Sequence, residues 1–330
     1  MIVVNNWIDI HAHFYPPETA EQRQGRMLGM QQAGWVVSEP FCWDPERILN
    51  YMDRSGIAMQ MLSNIPKSVP ALRASNDYAA SLVREHPTRF GLLTALPTDR
   101  PVDALAEIDR AYRELHTDGF AVTCCYNGVY LSDARLDRVW AELDRRGAVV
   151  FAHPDAYGPA VMGRPVAVSE VAFETARTVI DMLYANTFGK FPNVTFVLAH
   201  CGGALPALSG RLLLLGHERW VPNPNRTTPT EFRAHLHRLY LDTAATCPTT
   251  LGAALGMTTP DHIVYGSDCG VLCTTDATMQ MNLEALLGYA GLTQEQIEAI
   301  GHNALRLFPA AAERMKSGRH PARFTSAGTR

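Results

Sequence analysis

The stretch Trp-Ile-Asp-Ile-His-Ala-His at residues 7–13 decides how this chain of 330 residues is interpreted. Its apolar residues are typical of a buried β-strand, and strand alternation directs His11 and His13 to the same side. Neutral imidazoles are common metal ligands, so two of them at one strand end supply half of a metal site. Asp9 alternates onto the same side, and we interpret it as a hydrogen-bond partner of the site rather than a ligand.

The same arrangement recurs further along the chain. Three more apolar runs end in a histidine or an aspartate, at His153, His200 and Asp268. Continuous runs of Val, Ile, Leu and Phe predict parallel strands that are buried on both faces. The C-terminal ends of parallel strands lie at one edge of a sheet, so we expect these polar side chains to converge.

The order of strand and helix patterns predicts a (β/α)8 TIM barrel over residues 1–312. Strand patterns alternate with helical patterns, which favours parallel pairing with right-handed crossovers. An open doubly wound sheet is the main competitor, but only a closed sheet brings the first strand beside the eighth. The strands are expected near residues 7–13, 58–65, 90–96, 119–126, 147–153, 194–200, 238–243 and 262–268.

Two segments stand apart from this repeating pattern. Residues 14–43 form a long insertion after the first strand, which we expect to fold over the C-terminal mouth of the barrel. Together with residues 155–167, this insertion is expected to shape a substrate pocket. Residues 313–330 are polar and basic with no apolar period, which predicts a disordered tail.

Composition excludes several classes of protein. A net charge of -4 without a basic stripe argues against a nucleic-acid partner. No apolar run reaches the roughly 18 residues of a membrane helix, and no signal core begins the chain, which predicts a cytoplasmic protein. The seven cysteines lack disulfide or zinc-finger spacing and are interpreted as reduced thiols. Cys201 and Cys269, near the predicted rim, are interpreted as small buried hydrophobes rather than ligands.

Five motifs, in order, carry a resemblance to a known family. They are Asp-Ile-His-Ala-His at 9–13, Cys-Trp-Asp-Pro-Glu at 42–46, Phe-Ala-His-Pro at 151–154, Ala-His-Cys-Gly-Gly-Ala-Leu-Pro at 199–206 and Gly-Ser-Asp at 266–268. The first and last motifs mark the metal-dependent amidohydrolase superfamily, to which the chain is similar over nearly its whole length. The second and fourth motifs resemble the branch of aminocarboxymuconate-semialdehyde decarboxylase and the related methylsalicylate and resorcylate decarboxylases.

The resemblance implies one divalent ion per chain, held by His11, His13, His153 and Asp268. It also implies that His200 and Asp268 act in catalysis, with His200 as an acid/base or orienting residue. Three imidazoles and a carboxylate suit Zn2+, and Mn2+ is the alternative.

The lysines of the chain independently support a single ion. Two-metal members of the superfamily commonly bridge their ions with a carboxylated lysine on a barrel strand. The chain contains Lys67, Lys190 and Lys316, and none of them lies on a predicted strand.

Arg211 matches an arginine that reaches the pocket of a neighbouring subunit in this family. The match implies a homodimer in which Arg211 contacts the substrate. A helix arginine in a local ion pair is the structural alternative.

The resemblance implies a non-oxidative decarboxylase, and the substrate is the open question. An arginine that precedes the Cys-Trp-Asp-Pro stretch in the semialdehyde decarboxylase is replaced here by residues 36–40, Val-Val-Ser-Glu-Pro. This difference favours a small hydroxyaromatic acid of the 6-methylsalicylate type over the semialdehyde. Metal-dependent hydrolysis of an amide, ester or lactone is the alternative, because the same residues can serve it. A barrel that has lost its activity and serves as a scaffold is a third possibility.

Overall fold

The computed structural model describes residues 3–317. Short apolar segments form ten strands, of which eight are the buried runs expected from the sequence. In chain order, the strands are β1 (Trp7–His13), β2 (Ile57–Ser63), β3 (Phe90–Ala95), β4 (Gly119–Thr123), β5 (Cys125–Tyr126), β6 (Val129–Tyr130), β7 (Val149–His153), β8 (Thr195–Leu198), β9 (Tyr240–Asp242) and β10 (Ile263–Val264).

Eight of the strands form one parallel sheet that closes on itself. Their order is β1-β2-β3-β4-β7-β8-β9-β10, and β5 and β6 form a separate antiparallel pair. The segment after β10 closes the ring against β1, because the amide of His13 donates to Cys269 O at 2.7 Å and the amide of Asp268 donates to His11 O at 2.9 Å. The predicted TIM barrel is confirmed, and the open sheet is ruled out.

Helices surround the ring and cover its outer face. Capping residues set their ends: Asp44 accepts hydrogen bonds from the first turn of the second helix, and Gly56 ends that helix at a φ of 74°. A Cβ at Gly56 would lie 1.8 Å from Val4 O, so only glycine fits there. The helices are α1 (Ala20–Gln32), α2 (Pro45–Ser55), α3 (Val69–Glu85), α4 (Pro101–Arg110), α5 (Asp137–Arg145), α6 (Glu170–Tyr184), α7 (Thr187–Lys190), α8 (Leu205–Leu215), α9 (Pro229–His237), α10 (Pro248–Met257), α11 (Asp276–Leu287), α12 (Gln294–His302), α13 (Ala304–Leu307) and α14 (Pro309–Ser317).

The last helix corrects the predicted disordered tail. Ala311 and Met315 of α14 pack against the small apolar cluster that also contains Ile8, Ile10 and Phe151 of the strands. Arg314 adds an ion pair with Asp118, at 2.7 Å. Glu313 to Ser317 are therefore helical, because an apolar face too short to show a clear period in the sequence is buried against the barrel. The rest of the predicted tail, 318–330, lies outside the described residues.

The insertion at 14–43 covers the mouth of the barrel, as expected. Its helix α1 begins at a capping box formed by Thr19 and Gln22. Met27, Met30 and Val37 form a small apolar cluster of their own, separate from the main core. We call residues 14–43 the lid segment.

Two predictions about the rest of the chain can be compared with the structure. All seven cysteines are free thiols, as their spacing predicts. Within residues 3–317, none of the helices combines the length and apolar character that crossing a membrane requires.

Candidate metal centre and active site

The strand ends bring the predicted site residues together at the C-terminal mouth. His11 Nε2 and His13 Nε2 lie 3.0 Å apart, and each is 3.2 Å from Asp268 Oδ1. Ligand atoms of His11, His153, His200 and Asp268 all lie within 4.8 Å of one another. The predicted convergence of these side chains at one edge of the sheet is therefore observed.

The hydrogen bonds of three imidazoles direct their Nε2 atoms inward. Nδ1 of His11 faces Asp242 Oδ2 at 2.6 Å, Nδ1 of His13 faces Ser63 O at 3.3 Å and Nδ1 of His153 faces Pro154 O at 2.6 Å. When each Nδ1 donates its proton to these acceptors, each Nε2 presents a lone pair. His153 Nε2 is buried and has no hydrogen-bond partner. Converging lone pairs beside a carboxylate repel one another unless a cation lies between them, so this donor set fits a divalent metal ion.

Asp242 at the end of β9 holds several parts of the site in place. Besides His11 Nδ1, it accepts hydrogen bonds from the backbone amides of Cys201 at 3.2 Å and Ala244 at 3.0 Å. A Cβ at Gly266 would approach the Cβ of His11 to 2.8 Å and that of Asp242 to 3.0 Å, so glycine lets these strands approach closely. Asp242 therefore orients a candidate ligand and is not itself one of the clustered ligand residues.

The prediction that Asp9 lies on the same side of β1 as His11 and His13 is wrong, because the strand does not alternate strictly. The pairing of β1 with β2 shifts register between Asp9 and Ala12. Ile10 packs in the cluster that also holds Phe151, and the ring of the next residue, His11, lies 5.0 Å from that of Phe151. Asp9 instead accepts hydrogen bonds from Ser267 and Gln60, and from the amide of His11 at 3.1 Å. Its carboxylate therefore supports the backbone at the ends of two strands. A register shift of this kind has no signature in a single sequence.

Two site residues adopt the left-handed backbone conformation. The φ of His200 is 53° and the φ of Asp268 is 59°, and Cys201 follows with 55°. Side chains other than glycine rarely adopt this conformation, and such strain concentrates at functional sites. The turn after β8 and the turn after β10 thus hold His200 and Asp268 in the mouth at a conformational cost that the surrounding fold offsets.

Burial and charge set the ionisation of the cluster. Burial lowers the pKa of His13 and, together with the neighbouring histidines, lowers the pKa of His153 well below its ordinary value. Burial also lowers the pKa of His11, but the charges of Asp242 and Asp268 outweigh it and raise that pKa to about 10. Burial would raise the pKa of Asp268, yet the charge of His11 and three imidazole hydrogen bonds hold it well below its usual range. The negative charges of Asp242 and Asp268, which keep a proton on His11, also favour the binding of a metal cation.

His200 belongs to this group of clustered ligand atoms, whereas the predicted ligand His13 does not. The Nε2 of His200 is 3.8 Å from Asp268 Oδ2, and its ring lies 5.0 Å from that of His11 and 5.1 Å from that of His153. Its Nδ1 is buried and has no hydrogen-bond partner. Unlike the other three imidazoles, His200 has no acceptor at Nδ1, while its Nε2 faces the Asp268 carboxylate, an arrangement suited to proton transfer.

A large cavity opens directly over the cluster. It encloses about 1130 Å³ and is lined by His13, His153, His200 and Asp268 together with residues of the lid segment and of the loop after β7. Tyr15 and Tyr157 face each other across it with their hydroxyl groups in contact. The guanidinium of Arg26 lies 4.3 Å from the centre of the Tyr15 ring. Sequence reasoning did not single out these three residues, although Tyr15 stands two residues after His13 and Tyr157 lies in the predicted 155–167 pocket segment.

Three other residues discussed from the sequence lie outside the cluster. Arg211 is exposed on α8 and does not line the cavity of its own chain. Cys201 and Cys269 are buried, and burial raises the pKa of both thiols, that of Cys269 to about 12. Neither cysteine belongs to the candidate metal group found among residues 3–317. Lys67, Lys190 and Lys316 all lie off the barrel strands, as predicted.

Comparison with known proteins identifies the family. The family model described as amidohydrolase matches residues 8–310. A 6-methylsalicylic acid decarboxylase of Aspergillus aculeatus is 30% identical over 92% of this chain and 96% of its own length.

Solved structures agree with this assignment. A crystal structure of an amidohydrolase II superimposes with a TM-score of 0.80 at 28% identity, over 92% of this chain and 100% of that chain. A dihydroxybenzoic acid decarboxylase of Polaromonas, solved with bound manganese and the inhibitor 2-nitroresorcinol, shares the fold with a TM-score of 0.75 at 21% identity, over 94% and 99% of the two chains. The predicted family is confirmed: the chain belongs to the amidohydrolase family and is similar to its aromatic-acid decarboxylases.

Proposed function

We propose that this protein is a metal-dependent, non-oxidative decarboxylase of a small hydroxyaromatic carboxylic acid, of the 6-methylsalicylate type. The observation that carries the proposal is the His/Asp cluster, with inward-directed Nε2 atoms, at the base of a largely apolar cavity. Full-length similarity to a 6-methylsalicylic acid decarboxylase supports the choice of reaction and substrate class.

His11, His13, His153 and Asp268 would hold one ion per chain. We propose zinc because three imidazoles and a carboxylate suit it, and manganese is the alternative. The ion supplies a Lewis acid that can bind and polarise oxygen atoms of the substrate.

The protein's own residues would position the acid and deliver a proton. A proton from His200, or from Asp268 once that carboxylate has taken up a proton, adds to the ring carbon that carries the carboxylate. The bond between that carbon and the carboxylate then breaks, its electron pair returns to the ring, and carbon dioxide leaves. His200 lies beside Asp268, and its free Nδ1 provides a second position for the proton. Apolar side chains of the cavity wall would lower the local dielectric constant, which strengthens electrostatic stabilisation of the charge that develops on the ring.

Product analysis on a panel of compounds tests this reaction. The purified protein is incubated with ortho-, meta- and para-hydroxybenzoic acids and, separately, with aryl amides, esters and lactones. We expect carbon dioxide and the matching phenol from the ortho-hydroxy acids. Cleavage of amides, esters or lactones without release of carbon dioxide would instead establish the hydrolase alternative. A protein that contains metal and turns over neither group would favour the scaffold alternative.

We also propose a homodimer in which Arg211 contacts substrate in the neighbouring subunit. Two observations support this proposal. Arg211 is exposed on α8. Two large apolar side chains are exposed nearby in the sequence, Leu214 at 75% in the same helix and Trp220 at 70% just beyond its end. Exposed apolar side chains beside an exposed cation suit an interface between two copies of the chain.

Complementation between variants tests the role of Arg211. Arg211→Ala and His13→Ala chains are expected to be inactive alone. When they are co-expressed, the mixed dimer contains one site with an intact metal cluster and an Arg211 from the other chain. Recovered activity would support the proposal, and absence of recovery in a dimer of normal size would contradict it.

For the compartment, we propose the cytoplasm. The seven free cysteines support this location, because reducing compartments keep thiols unpaired.

A further inference from the structure

The cavity is larger than a single-ring acid requires. Its volume of about 1130 Å³ exceeds the roughly 300–1,000 Å³ of pockets that enclose drug-sized ligands. A hydroxybenzoate with one methyl group is much smaller than such ligands. Most of the cavity would therefore remain unfilled when a methylsalicylate occupies the metal cluster.

Part of the wall away from the cluster is aliphatic. Met30 and Ala33 contribute to them from the lid segment, Ile65 from the loop after β2, and Val168 and Val171 from the chain that enters α6. Side chains of this kind favour a ligand that removes apolar surface from water.

The charged residues of these walls are already paired. Arg26 forms an ion pair with Glu18 at 2.7 Å, and Lys67 forms one with Asp155 at 3.0 Å. Among the described residues that line the cavity, no other lysine or arginine is present. The outer part of the cavity thus offers no free cation for a second carboxylate or a phosphate on the substrate.

We propose that the substrate ring carries an apolar side chain of several carbons, and that this chain lies against helix α1 of the lid segment. This inference rests on the proposed decarboxylase function and extends it from the reacting ring to the rest of the substrate. The ring and its carboxylate occupy the metal cluster, and the apolar chain fills the space between α1 and the start of α6.

Two glycines of α1 allow a matched test of this placement. A Cβ at Gly29 or at Gly25 would meet no atom within 4 Å, so either position accepts a larger side chain without a clash. Gly29 lines the cavity and Gly25 does not. Gly29→Leu therefore fills the proposed space, whereas Gly25→Leu makes the same change in helix propensity one turn earlier.

The experiment uses 6-alkylsalicylic acids with chains from methyl to heptyl. For the native protein we expect kcat/KM to rise with each methylene, by up to about fourfold for each one that is fully buried. Gly29→Leu should abolish this gain, so that kcat/KM no longer rises with chain length. Gly25→Leu should keep the gain. The proposal would be overturned if kcat/KM of the native protein stayed constant or fell as the alkyl chain lengthened. It would also be overturned if kcat/KM of Gly29→Leu rose with chain length as steeply as that of the native protein.

Binding of the corresponding 3-alkylphenols, measured by calorimetry, separates this inference from the reaction itself. If the methyl acid is decarboxylated but affinity for the phenols does not rise with chain length, the side-chain proposal fails and the decarboxylase function stands. If no acid is decarboxylated but affinity for the phenols rises with chain length and the rise is lost in Gly29→Leu, the proposed reaction is wrong and the apolar chain site is retained.

Discussion

Two regions meet at the mouth of the barrel and are held in place differently. The histidine and aspartate cluster lies at strand ends and turns braced by buried hydrogen bonds, such as those of Asp242 to His11 and to the Cys201 amide. The lid segment joins the main core only near its two ends, through Phe14 and Trp43. Between these ends it is held by its own small apolar cluster and by a few polar contacts, including Arg26 with Glu18. This contrast indicates that the proposed metal cluster is built on the braced ring, whereas the proposed substrate contacts of the lid segment belong to a more weakly anchored cover.

The largest effect is expected when the strand cluster loses a ligand. His13→Ala should remove the metal and abolish activity, because the remaining donors leave one side of the ion open. Metal content by plasma mass spectrometry and carbon dioxide release measure both results. His237→Ala, which changes an exposed histidine at the end of α9, is the control. Full metal content in the His13 variant would show that it is not a ligand.

His200→Gln separates proton transfer from metal binding. Because His200 is proposed as an acid/base group rather than a ligand, its loss should leave the metal bound and lower kcat by about 100-fold or more, the usual contribution of such a group. Elemental analysis and kcat are measured on the same sample. Loss of the metal together with activity would make His200 a ligand instead.

Asp242→Asn weakens the orientation of His11 without removing a candidate ligand. An amide in place of the carboxylate that faces Nδ1 should lower metal affinity by about 10- to 100-fold, as is usual for groups that orient a ligand. Competition with a chromogenic chelator measures the change. Unaltered affinity would mean that the ring is positioned by packing alone.

A pair of truncations compares the two regions through stability. Leu92→Ala in β3, where the side chain is buried in the main core, should lower the free energy of unfolding by about 2–5 kcal/mol. Met30→Ala in the small cluster of the lid segment should cost less and should raise KM, since Met30 also lines the cavity. Urea unfolding and steady-state kinetics test both variants. Equal losses of stability would contradict the view that the cover is weakly anchored.

The sequence predicted the strand ends better than the loops. His11, His13, His153, His200 and Asp268 each end an apolar run, and the closed parallel sheet brings such ends together whatever the details of the connections. The local sequence pattern was therefore sufficient to predict which side chains meet in the cluster.

The features that sequence reasoning missed depend on contacts between distant segments. The meeting of Tyr15 with Tyr157 requires that two loops after different strands be placed first. The register shift in β1 follows from its pairing with β2. The helix over Glu313 forms because its few apolar neighbours are buried beside the strands, which a short polar stretch does not reveal.

Reconstitution of the metal-free protein tests the central claim most directly. The protein is stripped with a chelator, and carbon dioxide release from 6-methylsalicylate is measured before and after addition of one equivalent of zinc or manganese. We predict no release without metal and restored release at one ion per chain. Undiminished release from the stripped protein, or no release from the fully loaded protein, would contradict metal-dependent decarboxylation at this site.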